Sequence, residues 1–200
     1  MYPDIDWERE PDIEALRKAY SRLEGDRAGA IAILKDLAER GSIASIWYLA
    51  DAYLEENSKS GISQAQFWLA RAEDAGWIQA SYRLGRIAFQ EKDYKAAFDA
   101  FSRGAATNYT PAIYRLAMMY KEGLSTKRDF IEAKRLLEVA AQRGHLFAKR
   151  DLAGIYLSGA LGWQAAICGF LMLLKLLFEL LGIALTFGWR SPNFPIRILA

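Results

Sequence analysis

The side chains able to do chemistry are few and widely spaced in this chain. Its 200 residues include one histidine, His145, and one cysteine, Cys168, which are too few for a zinc site of several His and Cys ligands or for an intramolecular disulfide. The segment from Gly25 to Gly29 lacks the lysine and the spacing of a phosphate-binding loop. His145 is expected to cap or pack at a helix junction, which leaves no credible Ser, His and Asp set. We therefore predict no enzymatic activity, cofactor, metal or small-molecule substrate.

Charge is balanced along most of the chain and scarce at its C-terminal end. Lys and Arg number 26 against 24 Asp and Glu, a net charge of +2, which argues against a nucleic-acid partner. Residues 161–200 contain only three basic residues and one acidic residue. The acidic first ten residues have no apolar core, so we expect no secretory signal peptide. We predict an acidic lead-in over residues 1–11.

An apolar run extends from Trp163 to Trp189 and contains two charged residues, Lys175 and Glu179. As a helix it would be roughly 40 Å long, against about 30 Å for the hydrocarbon core of a bilayer. Tryptophans at both ends suit the two membrane interfaces. We predict a membrane-anchoring helix over residues 160–189, followed by a short tail over 190–200. The alternative is a helix that is buried in the protein or covered by a partner.

Polar residues within this run share one narrow helical stripe. The stripe contains Gln164, Lys175, Glu179 and Thr186, with Cys168 and Gly182 between them. Lys175 and Glu179 are four residues apart and can neutralise each other. Because an unpaired charge in the bilayer is costly, we expect the stripe to face protein.

A repeat occupies the rest of the chain, in segments that start at residues 41, 76, 108 and 144. Leucine stands eight residues after each start, and a small residue follows it. Small residues also recur four residues after each start and eleven residues before it. These positions are Leu49, Leu84, Leu116 and Leu152; Ala50, Gly85, Ala117 and Ala153; Ser45, Ala80, Ala112 and Ala148; and Ala30, Ala65, Ala97 and Ala133. The spacing predicts pairs of helices that pack closely on their neighbours.

Turn residues separate the predicted helices. They lie at Gly25–Asp26, Asn57–Gly61, Lys92–Asp93 and Gly123–Asp129. Thr110 is predicted to cap a helix with Pro111 at its first position. We predict an all-α fold in which helix-hairpin repeats form a solenoid over residues 12–159.

The segment from Ala112 to Gly123, followed by Asp129 and by Ala133 to Gly144, resembles the Sel1-like repeat, a relative of the tetratricopeptide repeat. The resemblance covers about residues 26–159. Asn108 replaces the usual glycine, and the third unit has a short helix connection. The resemblance implies a scaffold for multiprotein complexes, often at membranes, without catalysis.

Tetratricopeptide-like packing would place the first helix of each pair on a concave surface. Residues six and ten positions after each repeat start would then face a protein partner. The candidates are Trp47, Tyr82, Arg86, Tyr114, Met118 and Arg150. Aromatic side chains beside arginines are typical of interface anchors. The alternative is that the rings pack between adjacent repeats and contact no partner.

These observations predict a membrane-anchored scaffold whose repeats lie in the cytoplasm and bind protein partners, including a membrane protein. Family analogy suggests a cell-envelope, secretion or polysaccharide assembly. The competing hypothesis is a soluble regulatory binding module whose C-terminal helix caps the solenoid or mediates oligomerisation.

Overall fold

The computed structural model describes residues 7–158 and 162–187, and their regular structure is helical, with no strand. A short 3₁₀ helix, Trp7–Arg9, precedes the α-helices. These are α1 (Ile13–Arg22), α2 (Arg27–Glu39), α3 (Ile43–Glu55), α4 (Lys59–Asp74), α5 (Ile78–Gln90), α6 (Tyr94–Ala106), α7 (Thr110–Glu122), α8 (Phe130–Gln142), α9 (Leu146–Leu157) and α10 (Trp163–Phe187). The predicted all-α class is confirmed.

Each repeat start has a backbone conformation that explains its residue type. Gly41, Gly76 and Gly144 have φ values of 93°, 85° and 86°, in the left-handed region that favours glycine after a helix. Asn108 has a φ of 62°, and asparagine tolerates this region better than most residues. The asparagine therefore serves the same turn as the three glycines.

Side-chain caps begin most of the helices. The side chains of Asp12, Asp26, Ser42, Asp93 and Asp129 each accept a hydrogen bond from a backbone N–H in the first turn. Of these caps, Asp26, Asp93 and Asp129 lie within the predicted turns.

The predicted Thr110 cap is wrong by one residue. Tyr109 is the cap residue of α7 and makes no side-chain cap bond, while Thr110 and Pro111 begin the helix itself. The fixed φ of proline suits this first turn, and its missing N–H would have had no partner within the helix.

The described residues form two compact units that divide between Lys92 and Asp93. In the first unit, α1 to α5 pack in chain order around Leu34, Leu49 and Leu69, which are fully buried. Glu10 of the predicted lead-in accepts a hydrogen bond from the Ala44 N–H at 3.0 Å. A carboxylate is favourable there because it lies at the N-terminus of α3.

The second unit contains α6 to α10, each packed on the next. Leu116, Leu137 and Leu152 belong to its buried core. In the two units, the small residues predicted four residues after and eleven residues before each repeat start all have no exposed surface. They allow neighbouring helices to approach closely, as the repeat pattern predicts.

The helix α10 lies against α9 at a close backbone contact. A Cβ atom added to Gly169 would lie 2.8 Å from the Ala153 carbonyl oxygen and 2.9 Å from the Leu157 nitrogen. Leu176 is buried one to two turns farther along. The helix thus occupies the place of a second helix that follows α9.

The predicted membrane-spanning helix is not supported by the structure. Within residues 7–158 and 162–187, no helix is both long enough and apolar enough to cross a membrane. Apolar side chains of α10 such as Leu176 and Met172 instead lie against the second unit. Trp189, the predicted second interface anchor, lies outside the described residues.

Candidate protein-binding site

In the first unit, Trp47 lies between two successive repeats. Its ring meets that of Trp77 edge-on, with centroids 5.3 Å apart and planes at 67°. The Arg83 guanidinium lies over the Trp47 ring, 4.2 Å from its centroid, where the cation–π attraction is favourable. We call Trp47, Asp51, Trp77 and Arg83 the Trp47 cluster.

An ion pair between the buried Arg83 and the partly exposed Asp51 completes the Trp47 cluster. Arg83 is 9% exposed, donates to the Asp51 carboxylate and donates to the Trp47 carbonyl oxygen at 3.4 Å. Because a buried guanidinium needs both counter-charge and hydrogen-bond acceptors, this cluster ties α5 to α3. Trp47 therefore packs between repeats, and whether it also contacts a partner stays a prediction.

Two predicted site residues on α5 lie farther toward solvent. Tyr82 is half-buried and Arg86 is exposed, with the guanidinium 5.9 Å from the Tyr82 ring centroid. Arg86 also lines a cleft of about 530 Å³ with Asp51, Arg83 and Glu91. The cleft therefore offers charges of both signs beside an aromatic ring.

In the second unit, Tyr114 occupies the repeat position that Trp47 holds in the first. Its ring stacks on the His145 ring with centroids 4.4 Å apart. Its hydroxyl donates to the Asp151 carboxylate at 2.8 Å. We call Tyr114, His145, Phe147 and Asp151 the Tyr114 cluster; it ties α7 to α9.

Asp151 is the buried charge of the Tyr114 cluster and is 8% exposed. Two cations neutralise it: Arg150 at 3.1 Å and Lys121 at 3.7 Å. Burial, followed by the hydrogen bond to Asp151, raises the pKa of Tyr114 to about 12. Both effects keep the phenol protonated.

His145 caps α9 and also packs within the Tyr114 cluster. Its Nδ1 accepts a hydrogen bond from the Ala148 N–H at 3.1 Å. Burial lowers its pKa, with a further contribution from the positive charge of Arg115. The prediction that His145 caps or packs at a helix junction is confirmed.

The remaining predicted residues of the second unit lie at the edge of this cluster. Arg150 is exposed, and its guanidinium lies 5.1 Å from the Phe147 ring centroid. Met118 on α7 is half-buried. Arg86 and Arg150 therefore share one arrangement: an exposed guanidinium on the first helix of a hairpin, lying over an aromatic ring.

The predicted polar stripe of α10 is only partly brought together. Gln164 and Lys175 are exposed, and the Thr186 side chain lies outside the described residues. Glu179 pairs with Lys149 of α9 at 2.5 Å rather than with Lys175. This pairing depends on the packing of α10 on α9, which helical spacing alone does not indicate.

Among the cluster residues that were not predicted as site residues, Trp77, Arg83, His145 and Asp151 stand at equivalent positions of two repeats. They lie one and seven positions after a repeat start. An aromatic ring or imidazole one residue after a repeat start, and a charged residue seven residues after it, could have indicated them. Across residues 7–158 and 162–187, no three or more His, Cys, Asp and Glu side chains are grouped so as to hold a metal ion.

The repeats match a known family. The model of the Sel1 repeat family matches residues 43–77 and 110–145. The first match spans α3, α4 and Trp77, and the second spans α7, α8 and His145. Each match therefore ends at the ring that packs on Trp47 or Tyr114.

Three solved structures illustrate the similarity in fold. A protective antigen present in uropathogenic Escherichia coli strains, which displays an SLR fold, is 26% identical with a TM-score of 0.61; the match covers 76% of this chain and 35% of that chain. A Sel1 repeat protein from Oxalobacter formigenes is 21% identical with a TM-score of 0.62, over 88% of this chain and 74% of that chain. MamA is 22% identical with a TM-score of 0.58, and the match covers 80% of this chain and 94% of that chain.

The latter two similarities concern the fold alone. The chain spans about a third of the length of the Escherichia coli antigen.

Proposed function

We propose, from the premise that this chain carries Sel1 repeats, that it is a non-enzymatic scaffold that binds protein partners through the first helices of its hairpins. The proposed contact residues are Tyr82 and Arg86 in the first unit and Met118 and Arg150 in the second. Trp47 and Tyr114 hold the first helices of successive hairpins together, because their rings pack between the repeats.

The paired placement of Arg86 and Arg150 is the observation that carries the proposal. Each guanidinium is exposed and lies over a ring, at 5.9 Å from Tyr82 and 5.1 Å from Phe147. An arginine held against a ring loses less freedom when it binds, and its planar fork suits a carboxylate. A partner segment that carries carboxylates beside apolar side chains fits this chemistry.

The C-terminal helix has a structural role in this proposal. Contacts of α10 at Gly169, Leu176 and Glu179 support the competing hypothesis from the sequence, in which the C-terminal helix packs on α9 and caps the solenoid. Membrane anchoring and a place in a cell-envelope assembly are not part of the proposal.

Affinity capture with matched arginine variants tests the binding role. The tagged full-length chain is used to capture proteins from the cells that naturally produce it, and the bound proteins are quantified by mass spectrometry. Arg86→Ala with Arg150→Ala is expected to lose most of the specific partners. A loss on the order of 100-fold in affinity is reasonable for two interface arginines.

The control removes two exposed arginines that also lie over aromatic rings, one on α4 and one in the loop before α8. Arg71 is exposed on α4, 5.2 Å from the Trp68 ring centroid, and Arg128 is exposed 5.9 Å from the Phe130 ring centroid. Arg71→Ala with Arg128→Ala is expected to keep the partners. Equal retention by the two double variants would refute the proposed surface.

A further inference from the structure

The helix α10 has two apolar faces, and within residues 7–158 and 162–187 only one of them is covered. Gly169 and Leu176 are buried against the second unit. On the opposite side, large apolar side chains are each 41–73% exposed. They are Trp163, Ile167, Phe170, Leu171, Leu174, Leu177, Phe178 and Leu181. We call this set the open face of α10.

The spacing along the open face is that of a helix–helix seam. Trp163, Ile167, Phe170, Leu174, Leu177 and Leu181 follow one another at alternating intervals of four and three residues. This is the a and d pattern of a coiled coil, in which each side chain inserts between residues of a facing helix. Leu171 and Phe178 widen the stripe on one side. The seam predicts a helical occupant that runs along α10.

The area of the open face matches that of a stable interface. Fully exposed aromatic side chains offer about 150–250 Å² and aliphatic ones somewhat less, so the eight side chains together present on the order of 800 Å². Monomeric proteins rarely expose more than a few hundred Å² of contiguous apolar surface. A standard specific interface buries about 800 Å² on each partner. One helix of a second molecule would cover an area of this size.

The charge distribution favours a second copy over a lipid surface. Helices that lie on membranes combine an apolar face with a polar face rich in Lys and Arg. The two charges of α10, Lys175 and Glu179, instead line a cleft of about 340 Å³ with Lys149 and Glu138. The open face itself consists of uncharged residues, so an identical face is complementary to it.

We infer that the open face of α10 packs against the open face of a second copy of this chain, forming a homodimer. The interface is isologous, because the same residues contribute from both copies. The inference does not depend on the partner-binding role of the first helices, which lie elsewhere in the fold.

Sedimentation of the full-length chain without detergent tests the dimer. The wild-type protein is expected at twice its monomer mass of 22.6 kDa, with dissociation on dilution. Leu174→Gln with Leu177→Gln places two amides in the centre of the seam. This variant is expected to raise the dimer Kd on the order of 100-fold, because central apolar anchors dominate such interfaces.

The control replaces two exposed apolar residues on other helices. Phe67 on α4 is 53% exposed and Ile131 on α8 is 75% exposed. Phe67→Gln with Ile131→Gln is expected to leave the dimer Kd unchanged. Circular dichroism of each variant checks that helical content is retained.

Three results would overturn the inference. One is a wild-type protein that stays monomeric across the concentration series, a result that does not depend on any variant. Another is an unchanged Kd in a folded Leu174→Gln, Leu177→Gln variant. The third is flotation of the wild-type protein with phosphatidylcholine vesicles, or its recovery only in detergent, which would assign the open face to lipid.

Discussion

Tyr114 on α7 donates a hydrogen bond of 2.8 Å to Asp151 on α9. In the first unit the corresponding positions hold Trp47 and Arg83, where the guanidinium lies 4.2 Å from the ring centroid. The residue six positions after one repeat start thus contacts the residue seven positions after the next. The two units use the same geometry with buried charges of opposite sign, because a ring with a hydroxyl can donate to a carboxylate and an indole face attracts a cation.

Removing the Tyr114 hydroxyl is expected to destabilise the protein. Tyr114→Phe keeps the ring stacked on His145 but deprives the buried Asp151 of a donor. A hydrogen bond to a charged group contributes about 1–3 kcal/mol. Urea denaturation is expected to show a loss of this order.

Tyr20→Phe is the matched control for the hydroxyl. Tyr20 is 59% exposed, so the change is expected to alter the free energy of unfolding by less than about 0.5 kcal/mol. Equal effects of the two substitutions would show that the hydrogen bond to Asp151 adds no stability.

Stability is expected to fall as the pH drops below the ordinary histidine range. Burial lowers the pKa of His145 below 6.5 in the folded chain, so the unfolded chain binds more protons in the window just below 6.5. Unfolding is therefore favoured as the pH falls through that window, and the stabilising contribution is fully present above it. Urea denaturation at about pH 7.5 and about pH 5.5 measures the change.

The variant His145→Asn isolates this pH dependence. Asparagine retains a side-chain oxygen that can cap α9 but does not titrate, and His145 is the only histidine in the chain. The variant is expected to lose less stability than the wild type between the two pH values. The same loss in both proteins would assign the effect to other groups.

The contact at Gly169 is expected to control the docking of α10. Gly169→Ala would place a Cβ 2.9 Å from the Tyr156 Cβ and 2.8 Å from the Ala153 carbonyl oxygen, so α10 must move away from α9. Crowding of this kind costs about 1–3 kcal/mol. Hydrogen exchange is expected to be faster in α10 than in the wild type.

Gly154→Ala on α9 is the matched control, and it is expected to stabilise the protein where Gly169→Ala destabilises it. A Cβ at Gly154 meets no atom within 4 Å, so the change is expected to stabilise α9 by about 0.5–1 kcal/mol. Protection of α10 that is unaffected by Gly169→Ala would contradict the close packing of α9 and α10.

The pair formed by Lys149 and Glu179 is expected to hold α10 more strongly than Lys175 does. The two side chains are 30% and 34% exposed and lie 2.5 Å apart. Lys149→Leu leaves Glu179 without this cation and is expected to cost about 1 kcal/mol. Lys149→Leu with Glu179→Leu is expected to cost less than Lys149→Leu alone.

Lys175→Leu serves as the control and should have little effect on thermal denaturation. If Lys175→Leu lowers the stability more than Lys149→Leu does, Glu179 pairs with Lys175, as the spacing in the sequence predicts.

The repeat is the feature that could be predicted best from the sequence. Small residues such as Ala30, Ala65 and Ala97 recur at intervals of 35 and 32 residues, and the structure buries them completely. Close helix packing excludes larger side chains at these positions, so the constraint appears directly in the residue types. The one-residue error at Thr110 arises because proline suits several positions of a helix start.

The proposed site could be predicted only in part. The positions of Trp47 and Tyr114 were indicated by the repeat, but their partners Arg83 and Asp151 were not. These partners come from the following repeat, and a charged residue in a helix gives no sign in the sequence of whether it will be buried. Whether the predicted contact residues bind a partner stays a prediction.

The sequence by itself determined the helix pairs, their turns and the apolar character of the C-terminal segment, because these depend on local spacing and residue type. Only the tertiary structure decided which surfaces these helices share. An apolar run in a sequence predicts either a membrane span or a helix packed on protein, because residue type and local spacing do not distinguish the two. The fit of Gly169 against α9 and the pairing of Glu179 with Lys149 depend on residues distant in sequence, and they place one face of α10 against the second unit.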